Sequence, residues 1–386
     1  MSTLPKKKVL IIGSVPPPHH GCNVFVQQLL NSSLQQRFDI VHLDTSDRRN
    51  LDNISKLDFT NVRLAITHVF RLIQICIKDR PALAHLALSQ NTLGFLRDGL
   101  FLLALRWFSK ARPVVHLHGS YFPQFYRSAP WLVRRFVDAI LRRVSRGIVL
   151  GQALRPIFSP WLPDSRIEVV PNGSSLLPHL NGKFERNGRR ELRVIYLGNL
   201  FKFKGVLDLI EAAAIALQKH PEVKFCFAGS WGYDPIHGES AESIRGQCEA
   251  RVAATGKPDR FEFLGALTGR ALQDYLVDGD IFAFPSTLEG MPLVILEAMA
   301  AGNPVISSRG VGVISEVVID GECGILVEKS NPTALAKAIM ALIEDADLRR
   351  RLGRNARRRF EQYYTTEKSL ATLAGVFEKT LVDETE

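Results

Sequence analysis

The chain has 386 residues, 46% hydrophobic and 23% charged, with a formal net charge of +10, a composition typical of globular proteins with two or three domains. Its 5 scattered cysteines form no Cys-x-x-Cys pair, which excludes a disulfide framework and a zinc site and predicts a cytoplasmic setting. The longest apolar segment, Leu93–Phe108, is interrupted by charges and is shorter than the roughly 20 residues of a membrane span, and the apolar run Val9–Ile12 is too short for a signal peptide.

In the first half, short apolar runs alternate with helical patterns, as in parallel sheets joined by crossover helices. The predicted strands are Lys8–Gly13, Asp39–Leu43, Ala82–Leu88, Pro113–Leu117, Gly147–Leu150 and Ile167–Val170. The predicted helices are Asn23–Leu30, Asn61–Lys78, Thr92–Ser109 and Ala129–Val144.

The alternation stops at Asn172–Arg190, which is rich in Pro, Gly, Ser and Asn and is interpreted as a linker. It then resumes with the predicted strands Leu192–Leu197, Val223–Ala228, Phe261–Leu264, Ile281–Phe284, Pro304–Ser308 and Gly324–Val327. Helices are predicted between these strands, and a helical tail is predicted at the end, broken around Tyr363–Thr366. We therefore predict an N-terminal domain over 1–175, a linker over 176–190, a C-terminal domain over 191–360 and a final helix over 361–386.

The positive charge is concentrated in the first half. Residues 1–175 contain 23 Lys and Arg against 10 Asp and Glu, whereas residues 176–386 carry a net charge of −3. Arg134–Arg135, Arg142–Arg143 and Arg146 lie among apolar residues, a pattern that indicates either a basic amphipathic helix facing an anionic membrane surface or an ordinary solvated helix face. No nucleic-acid-binding motif accompanies the charge, so a nucleic acid partner is not expected.

Two glutamates with seven residues between them carry the strongest functional signal. Glu289 follows the apolar strand Ile281–Phe284, and Glu297 lies inside the helix that follows. Ligands of doubly wound sheets bind at the carboxyl ends of strands. The N–H groups of Gly290, Met291 and Leu293, with Pro292 at the helix start, suit a phosphate.

The motifs around this pair resemble those of retaining glycosyltransferases of family 4. The matching stretches are Val194–Gly198 with Lys204–Gly205, Phe284–Ser286 with the two glutamates, Gly302–Ile306, Gly321–Gly324, Val114–Gly119 and Val170–Gly173. The resemblance implies an α/β chain with the GT-B fold, in which two Rossmann-like, doubly wound parallel-sheet domains face a cleft and the C-terminal helix crosses back.

The resemblance also implies a role for each matching residue. Glu297 would bind the ribose hydroxyls of a nucleotide, because a carboxylate offers paired acceptors to a vicinal diol. Glu289 would contact the donor sugar, and Lys204 would neutralise the pyrophosphate. Backbone N–H groups near Gly290, Met291, Pro292 and Leu293 would hold the phosphate and sugar.

Further positions match the family less completely. The family usually has Arg where this chain has Asn199, and Lys202 is a candidate to compensate for the missing charge. His118 matches the active-site His or Asp position of the first domain. Gly21 matches a glycine loop that approaches the donor phosphate or the acceptor, although Cys22 stands where a second glycine is common.

The expected reaction transfers a sugar from a nucleotide-diphosphate-sugar to a hydroxyl of a glycan or lipid-linked acceptor with retention of configuration. No Asp-x-Asp motif is present, and the resemblance implies neither an essential metal nor a cofactor. The expected location is cytoplasmic, at the inner face of the plasma membrane. A GT-B sugar-nucleotide epimerase and a non-catalytic nucleotide-sugar-binding protein remain alternatives; a dinucleotide oxidoreductase is weaker, since no Gly-x-Gly-x-x-Gly follows the first strand.

Overall fold

The computed structural model describes residues 6–16, 21–46, 59–180, 183–185 and 191–383. The chain divides into two compact units, which we name unit 1 (Met1–Gly173 with Thr366–Glu386) and unit 2 (Ser174–Thr365). Part of the predicted linker, residues 181–182 and 186–190, lies outside the described residues.

Unit 1 contains a six-stranded parallel sheet with the order β2-β1-β3-β4-β5-β6. Its strands are β1 (Lys8–Gly13), β2 (Asp39–Asp44), β3 (Leu83–Ala87), β4 (Arg112–His116), β5 (Arg146–Val149) and β6 (Ile167–Val169). The inner strands are buried on both faces, which explains why they appear in the sequence as continuous apolar runs. The strand order reverses between β1 and β3, so a crevice is expected at the carboxyl ends of these two strands.

The helices of unit 1 cover both faces of this sheet. They are α1 (Gly21–Leu30), α2 (Leu34–Arg37), α3 (Phe59–Asp79), α4 (Thr92–Phe108), α5 (Phe122–Ser128) and α6 (Trp131–Leu141). Asn91 caps α4 by accepting a hydrogen bond from the Gly94 N–H at 2.8 Å.

Unit 2 contains a second six-stranded parallel sheet, with the order β12-β11-β10-β7-β8-β9. Its strands are β7 (Arg193–Leu197), β8 (Lys224–Ala228), β9 (Phe261–Phe263), β10 (Ile281–Phe284), β11 (Val305–Ser308) and β12 (Gly324–Val327). The chain first builds outward from β7 to β9 and then returns to add β10 on the other side of β7. The topological switch point therefore lies between β7 and β10.

Seven helices flank the sheet of unit 2 in the described part of the chain. They are α7 (Val206–Lys219), α8 (Ala241–Ala254), α9 (Gly269–Asp278), α10 (Leu293–Ala300), α11 (Ile314–Val317), α12 (Pro332–Glu344) and α13 (Ala346–Tyr363). Tyr275 fastens α9 to the sheet, because its hydroxyl lies 2.7 Å from the carbonyl oxygens of both Tyr196 and Cys226.

The last helix, α14 (Thr366–Val382), belongs to unit 1. Its buried residues Leu373 and Phe377 pack in one hydrophobic core with Val9, Ile11 and Phe25. The Ser369 hydroxyl also donates a hydrogen bond of 2.6 Å to the carbonyl of Pro171. Burial of this apolar face anchors α14 to the first sheet.

The prediction of an α/β chain with two parallel sheets is confirmed. Both ends of every predicted strand lie within one residue of the ends of an observed strand. The prediction that Arg146 belongs to a basic amphipathic helix is wrong, because α6 ends at Leu141 and Arg146 lies on β5. Its side chain is 4% exposed there and pairs with Glu168 at 2.6 Å. In the described residues, no helix has the length and apolarity needed to cross a bilayer.

Candidate active site

The candidate donor site lies at the switch point of unit 2, where two loops leave the carboxyl ends of β7 and β10. The first loop contains a 3₁₀ turn, Lys202–Lys204, and the second contains Glu289. The carbonyl oxygen of Phe203 joins them, because it accepts hydrogen bonds from the Thr287 N–H at 2.8 Å and from the hydroxyls of Thr287 and Ser286 at 3.1 Å each. This one carbonyl fixes the loops against each other.

Gly205 allows the two loops to approach closely. It has a left-handed φ of +79°, and a Cβ at this position would lie 2.2 Å from the carbonyl oxygen of Pro285. Only glycine meets both conditions without strain. The Lys-Gly pair of the sequence therefore has a structural reason: Gly205 turns the chain so that Lys204 lies beside the second loop.

Lys204 and Glu289 form an ion pair in this site. The Lys204 Nζ lies 2.6 Å from the Glu289 Oε1, with side chains that are 21% and 8% exposed. The ammonium group also lies 5.1 Å from the ring centre of Phe203 and 5.8 Å from that of Phe284, both within cation–π range. The pair thus places one cation and one anion side by side in a partly dehydrated pocket.

The turn before α10 is held by a third loop, which follows β11. Gly312 has a φ of +51°, and its absent Cβ would lie 2.2 Å from the carbonyl oxygen of Gly290. That carbonyl accepts a hydrogen bond of 2.9 Å from the Val313 N–H. Pro292 is the N-cap of α10 with a φ of −72°, so α10 begins at Leu293. Its first N–H groups have no acceptor within the helix, as the predicted phosphate contact requires.

Glu297 is a partly buried carboxyl group on α10. It has no hydrogen bond or ion pair with any residue in the described part of the chain. Burial disfavours the charged form and raises the pKa of Glu297 from 4.5 to about 7. A carboxylate that a fold keeps desolvated and without a partner is a candidate ligand-binding group.

Helix α10 is fixed at its end by α13. Arg357 donates a hydrogen bond to the carbonyl of Ala300, in the last turn of α10. A Cβ at Gly353 would lie 2.4 Å from the carbonyl oxygen of Gly302, so the two helices are in close backbone contact. The guanidinium satisfies a carbonyl that would otherwise lack a donor, and it thereby holds the helix that carries Glu297.

The two positions near the missing family arginine have different surroundings. Asn199 is exposed after β7, and its carbonyl accepts a hydrogen bond of 3.0 Å from the buried Tyr196 hydroxyl. Lys202 pairs with Glu239 at 3.0 Å, and its N–H donates to the Asp234 carboxylate at 2.9 Å. Lys202 and Lys204 thus each pair with a glutamate of unit 2.

His118 follows β4 in unit 1 and packs against Phe25, with ring centres 4.6 Å apart. Both of its ring nitrogens are buried. Burial lowers the pKa of His118 to about 4, while the nearby side chain of Asn172 acts in the opposite direction. His118 is therefore neutral near pH 7. Gly21, the other site residue predicted in this unit, is the first residue of α1, and residues 17–20 before it lie outside the described part.

Two further histidines continue inward from His118. The ring centre of His116 lies 4.0 Å from that of His118, and the His116 Nδ1 lies 3.2 Å from the Nε2 of His85. Burial lowers the pKa of both inner rings, that of His85 to about 3. His85 and Asn172 were not assigned roles from the sequence. Among the described residues, no group of three or more His, Cys, Asp or Glu side chains could hold a metal ion.

Comparisons with known proteins show similarities over part of this chain. The family model for glycosyl transferases group 1 matches residues 183–359, which include Lys204, Glu289 and Glu297. The D-inositol 3-phosphate glycosyltransferase of Corynebacterium efficiens is 32% identical over 206 residues, which are 50% of this chain and 46% of that protein. The capsular polysaccharide biosynthesis glycosyltransferase CapM of Staphylococcus aureus is 31% identical over 45% of this chain and 42% of that protein. The chain thus spans less than half the length of these curated relatives.

Solved structures match nearly the whole chain. Sucrose-phosphate synthase from Thermosynechococcus elongatus superposes with a TM-score of 0.73 at 21% identity, over 97% of this chain and 99% of that one. Anabaena HepE in complex with UDP-glucose gives a TM-score of 0.71 at 19% identity, over 96% and 99% of the two chains. These similarities show the GT-B fold. The similarity to the glycosyl transferases group 1 family covers the segment 183–359 of this chain.

Proposed function

We propose that this chain is a retaining glycosyltransferase that moves a sugar from a nucleotide-diphosphate-sugar to a hydroxyl of a glycan or lipid-linked acceptor. One observation carries the proposal. The Lys204–Glu289 ion pair and the unpartnered carboxyl of Glu297 lie around the switch point of unit 2, where a doubly wound sheet binds its ligand. The HepE neighbour, which was solved with UDP-glucose, supports a nucleotide-sugar as the donor.

Each donor group has a proposed partner in this site. The Glu297 carboxylate accepts hydrogen bonds from the two ribose hydroxyls, which replaces the hydration that burial removed. The N–H groups at the start of α10 bind a phosphate, and the Lys204 ammonium neutralises the diphosphate. Asn199 contributes an amide, and no charge, at the rim of the phosphate site. Glu289 accepts hydrogen bonds from hydroxyls of the donor sugar.

The proposed reaction proceeds by front-face attack. The bond between the anomeric carbon and the diphosphate oxygen breaks, and its electrons leave with the diphosphate. The acceptor oxygen forms the new bond on the same face, and its proton passes to the departing phosphate oxygen. Lys204 stabilises the charge on that leaving group by an amount of order 3 kcal/mol, comparable to one strong donor in other enzymes. Glu289 is proposed to orient the sugar, and the active-site role of His118 stays the prediction that the resemblance implies.

The acceptor side is proposed to lie on unit 1, with Gly21 in its glycine loop. Exposed arginines on α6 and at the two positions after it suit an anionic membrane surface, namely Arg134, Arg135, Arg142 and Arg143. A peripheral location at the inner face of the plasma membrane follows from this proposal. Sedimentation with vesicles of phosphatidylcholine and phosphatidylglycerol tests it, and binding that ignores the anionic fraction would contradict it.

A transfer assay tests the function itself. A thermal-shift panel of UDP, GDP and their sugars first identifies the donor, because a ligand of the native state raises the melting temperature. Transfer is then followed by NMR, which gives the anomeric configuration of the product. We expect retention, activity in the presence of EDTA, and loss of transfer in Glu289→Gln with nucleotide binding preserved. Nucleotide binding without transfer to any acceptor would instead indicate a binding protein, and an inverted product would contradict the mechanism.

A further inference from the structure

Unit 1 contains a large apolar cavity between α3 and α4, which we name the α3–α4 groove. Its volume is about 810 Å³, within the usual range for ligand-binding sites. Its walls include Ile66, Phe70 and Ile73 from α3 and Leu100, Leu103 and Trp107 from α4. The groove is distinct from the donor site, since its lining residues all belong to unit 1.

The walls of the groove continue onto the surface as exposed apolar side chains. Ile66 is 52% exposed, Phe70 is 65% exposed and Trp107 is 70% exposed. A neighbouring face of α3, with Leu72 and Cys76, is buried in the unit. Helix α3 thus has two apolar faces, and the unit covers only one of them. Contiguous exposed apolar surface of this kind marks a binding site in a folded protein.

The inner end of the groove is polar. Ser14, Asn23, Ser89 and Gln90 line it after the carboxyl ends of β1 and β3, at the switch point of unit 1. The Ser14 hydroxyl donates to the Asn23 side chain at 2.6 Å, and the Gln90 Oε1 is buried without a hydrogen-bond donor among the described residues. Hydroxyl and amide groups of this kind suit a head group that carries hydroxyls, such as a sugar.

Among the described residues, Arg97 is the Lys or Arg side chain that lines the groove. The acidic residues of α3 and α4 are Asp79, which pairs with Lys8 at 3.2 Å, and Asp98, which pairs with Arg97 at 2.8 Å. Arg63, Arg71, Lys78 and Arg106 are exposed on the same two helices, outside the lining of the groove.

We propose that the α3–α4 groove binds the hydrocarbon chain of the acceptor, which is therefore a lipid-linked glycan. The chain lies between the two helices, and the hydroxyl-bearing head lies at the polar inner end. That the bound molecule is the acceptor rests on the proposed glycosyltransferase function. That it carries a hydrocarbon chain rests on the groove alone. It assigns a substrate class that the two glutamates of unit 2 do not specify.

Isothermal titration calorimetry with alkyl maltosides below their critical micelle concentrations tests the groove directly. Each methylene buried from water strengthens binding up to about fourfold. We expect dodecyl maltoside to bind at least about tenfold more tightly than octyl maltoside, and maltose to show no measurable binding. Ala65→Trp fills the groove from α3 and should weaken dodecyl maltoside binding at least about tenfold. Gln74→Trp, on the same helix but outside the lining, is the matched control and should bind like the wild type.

A second variant keeps the test independent of how well Ala65→Trp folds. Leu100→Gln changes an exposed wall residue, 48% exposed, and should weaken binding severalfold with an unchanged melting temperature. Equal affinities for the octyl and dodecyl chains, or wild-type affinity in both groove variants, would overturn the proposal. Variants that keep alkyl maltoside binding but lose binding to anionic vesicles would also overturn it, in favour of contact with a bilayer surface.

Nucleotide binding separates this proposal from the proposed function. UDP and GDP are titrated into the same proteins, and the groove variants should bind them like the wild type, because the donor site belongs to unit 2. If the wild type binds no nucleotide but binds dodecyl maltoside in the groove, the proposed function fails and the groove stands. If nucleotide binds and the chain-length dependence is absent, only the groove fails.

Discussion

Replacing Glu297 by glutamine should make unit 2 more stable at pH 8. Burial raises the pKa of this carboxyl from 4.5 to about 7, a difference of about 2.5 units. Each pKa unit corresponds to 1.36 kcal/mol, so the ionised form costs the folded state up to about 3 kcal/mol. Glutamine keeps the shape of the side chain and cannot ionise, so the variant should not incur this cost.

The sign of the effect follows from proton binding. Between pH 4.5 and about 7 the folded state binds more protons at Glu297 than the unfolded state does, so the wild type loses stability as the pH rises through this window. Glu297→Gln lacks this loss. The two proteins should therefore differ little at pH 5, and the variant should be more stable by up to about 3 kcal/mol at pH 8.

Urea unfolding followed by circular dichroism at pH 5, 6, 7 and 8 measures this difference. Because the chain contains two compact units, each unit is expected to have its own unfolding transition. The transition whose midpoint shifts in the variant is assigned to unit 2. Glu328→Gln, which removes a carboxylate whose side chain is 73% exposed, is the matched control and should leave the pH profile unchanged. The same pH dependence in the wild type and in Glu297→Gln, or lower stability of the variant at pH 8, would refute the reasoning.

Three further substitutions test how the donor site is built. Lys204→Met leaves the Glu289 carboxylate, 8% exposed, without its cation and should lower the free energy of unfolding by about 2–3 kcal/mol. Urea unfolding of the double variant with Glu289→Gln should show that part of this lost stability is recovered. No recovery in the double variant would contradict a direct pair. Gly205→Ala places a Cβ 2.2 Å from the carbonyl oxygen of Pro285, so it should lower the free energy of unfolding by at least about 1–3 kcal/mol and weaken nucleotide binding in calorimetry. Gly246→Ala, where a Cβ meets nothing within 4 Å, is the control and should have neither effect. Equal effects of the two substitutions would disprove the close approach. Tyr275→Phe removes the hydroxyl that lies 2.7 Å from two buried carbonyl oxygens, so it should lower the free energy of unfolding by about 1–2 kcal/mol. An unchanged melting temperature would show that this hydroxyl does not hold α9.

The sheets were predictable from the sequence because their signals are local. A buried parallel strand is a short apolar run between turn residues, and Ile281–Phe284 shows this pattern without any knowledge of its neighbours. The same local logic placed Glu289 in a loop and Glu297 on a helix. Arg146 shows the limit, because a basic run continues past the end of α6 and the sequence does not reveal which arginine pairs with Glu168 on β6.

The chemistry of the site depended on contacts that are distant in the sequence. Lys204 and Glu289 are 85 residues apart, and no periodicity predicts that they pair. The raised pKa of Glu297 arises from packing around α10 and not from its neighbours in the chain. The sequence likewise shows that α3 is apolar on more than one face, but only packing determines that Phe70 stays exposed while Leu72 is buried.

The most direct test of the account is the number of protons released when the identified nucleoside diphosphate binds at pH 7. The account holds that the ribose diol binds the ionised carboxylate of Glu297, whose pKa of about 7 leaves it half protonated before binding. Calorimetry in two buffers of different ionisation enthalpy should therefore show about half a proton more released by the wild type than by Glu297→Gln, with weaker binding by the variant. Equal proton release and equal affinity in the two proteins would contradict the assignment of Glu297, and with it the donor site proposed for unit 2.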